Sequence, residues 1–172
     1  MKRILLAIVI GILGLIPFSG SAGADRATAE IVDQNGAVIG NATLRAAPTG
    51  VLIMLEITSL TPGTHAIHLH NVGKCEPEFA AAKGHVNPHK RQHGLFNPEG
   101  PERGDLPNFF VAADRSARAE FYTTLVSLDR GTAPLLDKDG SALVIHENPD
   151  DHLTQPIGGA GARIACGIIK AQ

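Results

Sequence analysis

The sequence lacks an apolar run long enough to be retained as a membrane span. Its N-terminal apolar stretch, Ile4–Ile16, has only 13 residues, whereas a spanning helix needs about 20. Two cations precede this stretch, a proline follows it, and Ala22-Gly23-Ala24 then has the small-x-small form that a signal peptidase accepts. We therefore expect residues 1–24 to be a signal peptide and residues 25–172 to be the mature domain. The alternative is an uncleaved N-terminal anchor.

The expected mature domain also lacks an excess of positive charge. Once Lys2 and Arg3 are removed, 13 Lys and Arg residues face 17 Asp and Glu residues, which gives a formal net charge of −4. This balance disfavours nucleic acid or an anionic membrane surface as the main partner. No cysteine lies near the expected cleavage site to carry a lipid, so we expect no stable membrane association after cleavage. An anionic small substrate would need a local positive site.

Cysteine is scarce, with only Cys75 and Cys166, which are 91 positions apart. An exported protein meets an oxidising compartment, where an even number of cysteines predicts disulfide bonding. We therefore expect these two residues to form a disulfide. Two buried free thiols are the alternative.

Sustained helical periodicity and internal repeats are also absent. Short stretches of alternating apolar and polar residues, separated by turn-forming residues, instead predict about eight antiparallel strands in a sandwich or barrel. Asn35-Gly36 is a strong signal for a two-residue hairpin turn, and we expect the strands on either side of Asp114-Arg115-Ser116 to pair. The expected strands are Thr28–Asp33, Ala37–Ala46, Val51–Ser59, Ala66–His70, Asn108–Ala113, Ala117–Val126, Ala142–His146 and Ile164–Ile169.

Two long segments, Asn71–Pro107 and Glu147–Ala162, fit no strand. Both contain several Gly and Pro residues, and the first is also rich in His and charged residues. Segments of this length inside a compact domain are usually functional or disordered. The metal-binding side chains of the first segment favour a functional loop.

His68 and His70 lie two positions apart on an expected strand, which places both imidazoles on the same face. A His-x-His pair alone is more often a surface or hydrogen-bonded feature than a metal site. Here His85 and His93 in the first long segment, and His146 at the end of a distant strand, add to the pair. An imidazole-rich site suits copper and zinc.

Five separated motifs carry these histidines together with an arginine and a cysteine: His65-Ala66-Ile67-His68-Leu69-His70, Gly84-His85-Val86-Asn87-Pro88, His93 with Gly104-Asp105-Leu106-Pro107-Asn108, Val144-Ile145-His146-Glu147, and Gly161-Ala162-Arg163-Ile164-Ala165-Cys166-Gly167. In their residues and order they resemble the copper/zinc superoxide dismutase family. The resemblance covers essentially all of residues 25–172, and the loop lengths resemble those of bacterial periplasmic members. It implies an all-β, antiparallel Greek-key sandwich or barrel with two long functional loops.

The resemblance implies a copper site at His68, His70, His85 and His146. His85 would bridge copper and zinc as an imidazolate and would return a proton to the product. Arg163 occupies the family's anion-guiding position, where a fixed guanidinium attracts superoxide. His85 and Arg163 are therefore the expected catalytic residues.

The resemblance implies a zinc site at His85, His93 and Asp105. Asp150 matches an outer carboxylate that hydrogen-bonds one copper histidine and one zinc histidine. Its neighbour Asp151 is the alternative for that role.

Glu102 departs from the family pattern, which has its remaining zinc histidine at this position. A carboxylate can ligate zinc, so Glu102 either replaces that histidine or leaves the site weak. We expect His89 and His152 to be solvated loop histidines, and His65 to have a structural hydrogen-bonding role.

The function implied by the resemblance is superoxide dismutation, the copper-catalysed conversion of superoxide to oxygen and hydrogen peroxide. The implied cofactors are copper and zinc, and the implied location is the periplasm or the outside of the cell, where the enzyme would protect the cell envelope. A non-catalytic periplasmic copper-binding protein on the same fold is the alternative, and it would lack Arg163 or part of the copper set. The sequence leaves the oligomeric state open, and a homodimer is compatible with it.

Overall fold

The computed structural model describes residues 23–172, which form an all-β domain. The expected signal peptide lies outside these residues except for Gly23 and Ala24. The described residues include no α-helix, and no helix among them is long and apolar enough to cross a membrane. A short 3₁₀ helix covers Ala80–Ala82, and the strands are β1 (Arg26–Asp33), β2 (Val38–Ala47), β3 (Gly50–Ile57), β4 (Gly63–His65), β5 (Ile67–His70), β6 (Phe109–Val111), β7 (Ala117–Thr123), β8 (Ala142–His146), β9 (Arg163–Ile168) and β10 (Lys170–Ala171).

The strands pack because apolar residues alternate along them and one face of each strand meets a common core. In β3, the residues Val51, Ile53, Leu55 and Ile57 are buried, while those between them are half-buried or exposed. In β8 all five residues are buried. Its two faces meet different apolar clusters, one in the main core and one beneath the loop that precedes the 3₁₀ helix.

The sheet order brings together strands that are distant in sequence. Seven strands pair antiparallel in the order β5-β8-β9-β1-β2-β3-β7, β10 also pairs with β1, and β4 and β6 form a separate ladder. After β3 the chain crosses to β5 at one edge, returns to β7 at the other edge, and crosses again to β8. This Greek-key path places β5 beside β8, and these two strands carry three of the candidate histidines.

The expected fold class is confirmed, and each of the eight expected strands has a counterpart whose ends differ by a few residues at most. The hairpin at Asn35-Gly36 is confirmed as well, since β1 and β2 pair antiparallel across it and Gly36 has a φ of +78°. Its connection is four residues long, 34–37, rather than the expected two. Asp33 closes this turn, because its Oδ1 accepts hydrogen bonds from the N–H groups of Asn35 and Ala37. β4 and β10, which are three and two residues long, were not expected.

The expected pairing across Asp114-Arg115-Ser116 is wrong. A hydrogen-bonded turn does form there, between Ala112 and Ser116. The strands on either side of it nevertheless join different partners, β6 with β4 and β7 with β3. The β3 pairing lets β7 bury Ala117 and Phe121 in the main core, and this long-range burial decides the partner.

Candidate metal centre

The first candidate cluster is built on the edge where β5 and β8 pair. His68 and His70 lie on β5, and His146 is the last residue of β8. His85 lies in the first long loop and pairs with His70 through an isolated β-bridge. All four residues are buried, and one ligand atom from each lies within 4.8 Å of the others. The structure therefore brings together the four predicted copper-binding histidines.

Each of these four rings has one buried nitrogen with no hydrogen-bond partner. These atoms are Nδ1 of His68 and Nε2 of His70, His85 and His146. A buried polar atom without a partner costs about 1–3 kcal/mol, so four converging examples need an explanation. A metal ion that accepts four imidazole lone pairs supplies one, and an all-imidazole donor set suits copper.

The other nitrogen of each ring is hydrogen-bonded, which fixes the direction in which the ring points. The Nδ1 of His70 lies 2.9 Å from the carbonyl oxygen of Lys83, and that of His146 lies 3.3 Å from the carbonyl oxygen of Gly161. A carbonyl only accepts, so each Nδ1 carries the proton and each Nε2 presents a lone pair to the cluster.

The titration behaviour of the first cluster also suits metal binding. Burial lowers the pKa of His68 to about 4, with a further lowering from nearby His85. Burial and the proximity of His68 lower the pKa of His146 to about 3. The pKa of His70 is held well below its ordinary value, first by burial and then by His85 and Arg163. These three rings are therefore neutral near pH 7, the form that binds a metal.

The second cluster lies on the other side of His85. Nδ1 of His85 is 2.7 Å from Oε2 of Glu102 and 3.1 Å from Oδ1 of Asp105. Nδ1 of His93 is 3.7 Å and 2.9 Å from the same two oxygens. The three shorter contacts are hydrogen-bond distances. The ligand atoms of all four residues lie within 4.8 Å of one another, and two imidazoles with two carboxylates are a donor set that zinc accepts. Glu102 stands where a fourth ligand would be needed.

The second cluster differs from the first in its charge. Burial alone would lower the pKa of His93, but hydrogen bonds to Asp105 and Asp150 outweigh it and raise the pKa to about 11. Burial would raise the pKa of Glu102, but the adjacent imidazoles of His85 and His93 lower it to about 2. Without a metal, protonated imidazole and ionised carboxylates therefore balance one another, and a divalent cation can replace the proton charge.

Asp150 connects the two clusters. Its Oδ2 lies 2.8 Å from Nε2 of His68, and its Oδ1 lies 3.1 Å from Nε2 of His93. The neighbouring Asp151 instead accepts hydrogen bonds from the backbone N–H groups of Leu153 and Thr154. The geometry therefore favours Asp150, rather than the neighbour that sequence reasoning left open, as the carboxylate that orients a ring in each cluster.

Arg163 lines a cavity of about 400 Å³ together with His70 and His85. Its guanidinium donates hydrogen bonds to the carbonyl oxygens of Phe79 at 2.6 Å and Lys83 at 2.5 Å. Both carbonyls belong to the loop that begins after β5. The chain thus holds a positive group beside the first cluster.

The expected Cys75–Cys166 disulfide is confirmed, with the two Cα atoms 5.8 Å apart. Cys75 belongs to the loop that supplies the carbonyl partners of Arg163, and Cys166 lies on β9, the strand that begins with Arg163. The bridge therefore ties the loop to the strand that carries the arginine.

The remaining histidines show which sequence expectations hold. His65 is buried, and its two ring nitrogens each lie 2.8 Å from a backbone carbonyl oxygen, Nδ1 from that of His146 and Nε2 from that of Thr61, so its structural role is confirmed. His89 is exposed, as expected, and accepts a hydrogen bond from Arg103. The expectation for His152 is wrong, because its side chain is only 12% exposed and Nδ1 lies 3.6 Å from Asp150.

Sequence reasoning gave no role to Asn108, although it is the last residue of the Gly104–Asn108 motif. Its Oδ1 accepts a hydrogen bond from the N–H of Asp150 at 2.9 Å, and its Nδ2 donates to the carbonyl oxygen of the same residue at 2.8 Å. This double contact fixes the backbone of Asp150, whose carboxylate connects the clusters. The available signal was its position directly after Asp105-Leu106-Pro107.

Comparisons with known proteins agree with this geometry. Residues 38–169 match the family model described as copper/zinc superoxide dismutase (SODC). The chain is 53% identical over 148 residues to a Cu-Zn superoxide dismutase of Caulobacter vibrioides, with 84% of this chain and 85% of that protein covered. It is 48% identical over 145 residues to Cu-Zn superoxide dismutase 1 of Aquifex aeolicus, with coverage of 83% and 86%.

A solved structure extends the likeness to three dimensions. The Cu/Zn superoxide dismutase from Brucella abortus aligns with a TM-score of 0.69 at 29% sequence identity. The alignment covers 84% of this chain and 99% of that one. Most of the described domain therefore has a counterpart there.

Proposed function

Because the chain belongs to the copper/zinc superoxide dismutase family, we propose that it converts superoxide to oxygen and hydrogen peroxide in a copper-dependent reaction. The observation that carries the proposal is the set of four buried imidazole nitrogens that converge without hydrogen-bond partners. His68, His70, His85 and His146 would hold the copper. Bound copper supplies reversible one-electron transfer, whereas zinc has no redox chemistry and orders the site.

His85 is the residue that links the two clusters chemically. Its Nε2 is among the unpartnered nitrogens of the first cluster, and its Nδ1 faces Glu102 and Asp105 in the second. His85 would therefore belong to the donor sets of both clusters, and its Nε2 is an atom that can hold a proton. The overall reaction takes two superoxide ions and two protons to one oxygen and one hydrogen peroxide, so a proton carried at this atom can be delivered to the product.

Arg163 would attract and orient the anionic substrate. The mature domain has a net negative charge, so steering must come from a local cation. Its two carbonyl contacts hold the guanidinium beside the cavity that His70 and His85 line, and a guanidinium has five N–H donors. Superoxide could therefore be hydrogen-bonded there without displacing the arginine from its supports.

The second cluster would hold zinc through His85, His93, Asp105 and Glu102. Asp150 would act from outside both metal sites by orienting His68 and His93. The proposal treats Glu102 as a ligand in place of the family's histidine. Its support is the 2.7 Å approach of Oε2 to Nδ1 of His85.

We also propose that residues 1–24 direct export and that the mature enzyme works in the periplasm or outside the cell. The signal-like N-terminal pattern and the disulfide both support this location. The enzyme would then protect the cell envelope from superoxide generated outside the cytoplasm. A homodimer stays a prediction.

The rival copper-binding function would call for a damaged copper set or the loss of Arg163, and the described residues include the four histidines and the arginine. The deciding experiment is a superoxide dismutation assay on the mature protein loaded with copper and zinc, with metal content measured on the same sample. We expect activity in proportion to bound copper. Full copper occupancy without activity would favour the rival function.

A further inference from the structure

The two carboxylate oxygens of Glu102 have different surroundings: one is hydrogen-bonded to the protein, and the other faces the histidines of the second cluster. Oε1 accepts a hydrogen bond of 2.7 Å from Nδ2 of Asn87. Oε2 faces Nδ1 of His85 at 2.7 Å and Nδ1 of His93 at 3.7 Å. The side chain therefore has one anchored oxygen and one oxygen aimed into the second cluster.

Asn87 is itself fixed by a turn in the same loop. Its Oδ1 accepts a hydrogen bond from the backbone N–H of Arg91 at 2.9 Å, and its Nδ2 donates to the carbonyl oxygen of Arg91 at 2.8 Å. Because Arg91 N–H can only donate, it determines which end of the amide carries oxygen. The second N–H of Nδ2 is left to point at Glu102.

Asp105, the other carboxylate of the cluster, has the same arrangement. Its Oδ2 accepts hydrogen bonds from the backbone N–H groups of Gly94 at 2.8 Å and Glu102 at 3.0 Å. Its Oδ1 faces Nδ1 of His85 and of His93. Both carboxylates thus offer one oxygen each, while protein donors occupy the other.

We propose that Asn87 is a positioning residue that makes Glu102 a one-oxygen ligand, so that the second cluster is a two-histidine, two-carboxylate site for a divalent metal. This inference rests on the proposed zinc site and explains how a chain without the family's third histidine completes it. A carboxylate can bind a metal through one oxygen or both. Anchoring Oε1 removes the two-oxygen mode and keeps the site four-coordinate, as zinc prefers.

The test is a double-mutant cycle on zinc affinity, measured on the mature protein by competition with a chromogenic chelator. Asn87→Ala should weaken zinc binding by about tenfold to hundredfold, as is typical for the loss of a group that orients a ligand. In a Glu102→Ala background the same change should weaken binding by less than about twofold, since the coupled partner is gone. The absorption spectrum of the Co²⁺-loaded protein should change with Asn87→Ala in the wild-type background alone.

Asn97 supplies the matched control. It is half-buried like Asn87 and braces the same loop, through a hydrogen bond to the carbonyl oxygen of His93 and one from the N–H of Glu99. It does not contact the Glu102 side chain, so Asn97→Ala should have the same effect on zinc affinity whether residue 102 is Glu or Ala. If Asn87→Ala fails to fold, Asn87→Ser keeps a hydroxyl for the Arg91 turn but is too short to anchor Glu102.

Equal losses from Asn87→Ala in both backgrounds would overturn the proposal, because the residue would then only brace the loop. Unchanged zinc affinity would overturn it as well. Dismutase activity is measured separately on the copper-loaded wild type. Activity without the Asn87–Glu102 coupling would support the proposed function and overturn this inference. Coupling without activity would support this inference and overturn the proposed function.

Discussion

His70 and Arg163 donate hydrogen bonds to the same backbone oxygen, that of Lys83. The imidazole contact is 2.9 Å long and the guanidinium contact is 2.5 Å long. One peptide group therefore sets the position of a proposed copper ligand and of the proposed anion-guiding residue. The backbone therefore fixes the position of the substrate-attracting charge relative to the proposed copper site, independently of any contact between the two side chains.

Arg163→Glu should lower kcat/KM for superoxide by roughly tenfold or more at low ionic strength, because the cavity beside the first cluster would then repel the anion. Arg163→Ala should have a smaller effect, since it only removes attraction. Both effects should shrink as salt is added. Arg118→Glu is the control for net charge, because its side chain is 86% exposed on β7 and lies outside both clusters. Equal rates for wild type and the Arg163 variants at low salt would contradict steering.

His146→Ala should abolish most activity and lower copper content, because it removes one of four converging imidazoles. Copper content and dismutation rate are measured on the same sample. The comparison variant is His89→Ala, which changes an exposed histidine outside both clusters and should leave both quantities unchanged. Full activity with normal copper in His146→Ala would rule out its role as a ligand.

Asp150→Asn should weaken binding of both metals by about tenfold to hundredfold. The amide has only one acceptor oxygen, so its NH₂ group would face an N–H of either His68 or His93. Asp151→Asn alters the neighbouring carboxylate, whose hydrogen bonds go to Leu153 and Thr154 rather than to either cluster, and should have little effect. Metal affinities that respond to position 151 instead would reverse the assignment.

Cys75→Ser should lower the free energy of unfolding by about 4–5 kcal/mol if the loop-entropy account of this long cross-link holds. It should also reduce activity, because the loop that supports Arg163 through Phe79 and Lys83 loses its tether to β9. Denaturant unfolding and dismutation assays check the two effects. A stable variant with unchanged activity would show that backbone contacts alone hold the loop.

Zinc binding should release protons, and its apparent affinity should rise with pH through the neutral range. The pKa of His93 is raised to about 11 in the metal-free protein, so this ring is protonated at pH 7 and must lose its proton to become a ligand. Calorimetry in two buffers of different ionisation enthalpy measures the release. Zinc binding without proton release at pH 7 would contradict the raised pKa.

Much of the fold could be predicted from the sequence because burial repeats every second residue along each strand. The pattern in β3 and the Asn35-Gly36 hairpin are local signals and were interpreted correctly. The pairing of β6 with β4 was not, because the two strands are three residues long and their partnership depends on long-range packing. β4 has too few residues for alternation to identify it, so the sequence offered β6 no partner other than β7.

The candidate site was predictable to the extent that ligand residues carry their own chemistry. Histidines and carboxylates stand out in a sequence, whereas Asn87 and Asn108 do not, since amides are common in loops for turn formation. Their roles depend on which atoms lie opposite them after folding. His152 was misjudged for the same reason, because nothing local to it indicates that its ring packs near Asp150.

The two clusters rest on different kinds of support. Three of the four proposed copper ligands are strand residues, whereas all four members of the second cluster lie in the loop between β5 and β6. A strand position is constrained by its neighbours in the sheet, while a loop can exchange residues and adjust its path at little cost to folding. Evolution could therefore alter the donor set of the second site while the redox site stayed intact. Glu102 would be one outcome of that freedom, and related chains could vary further at the same loop positions.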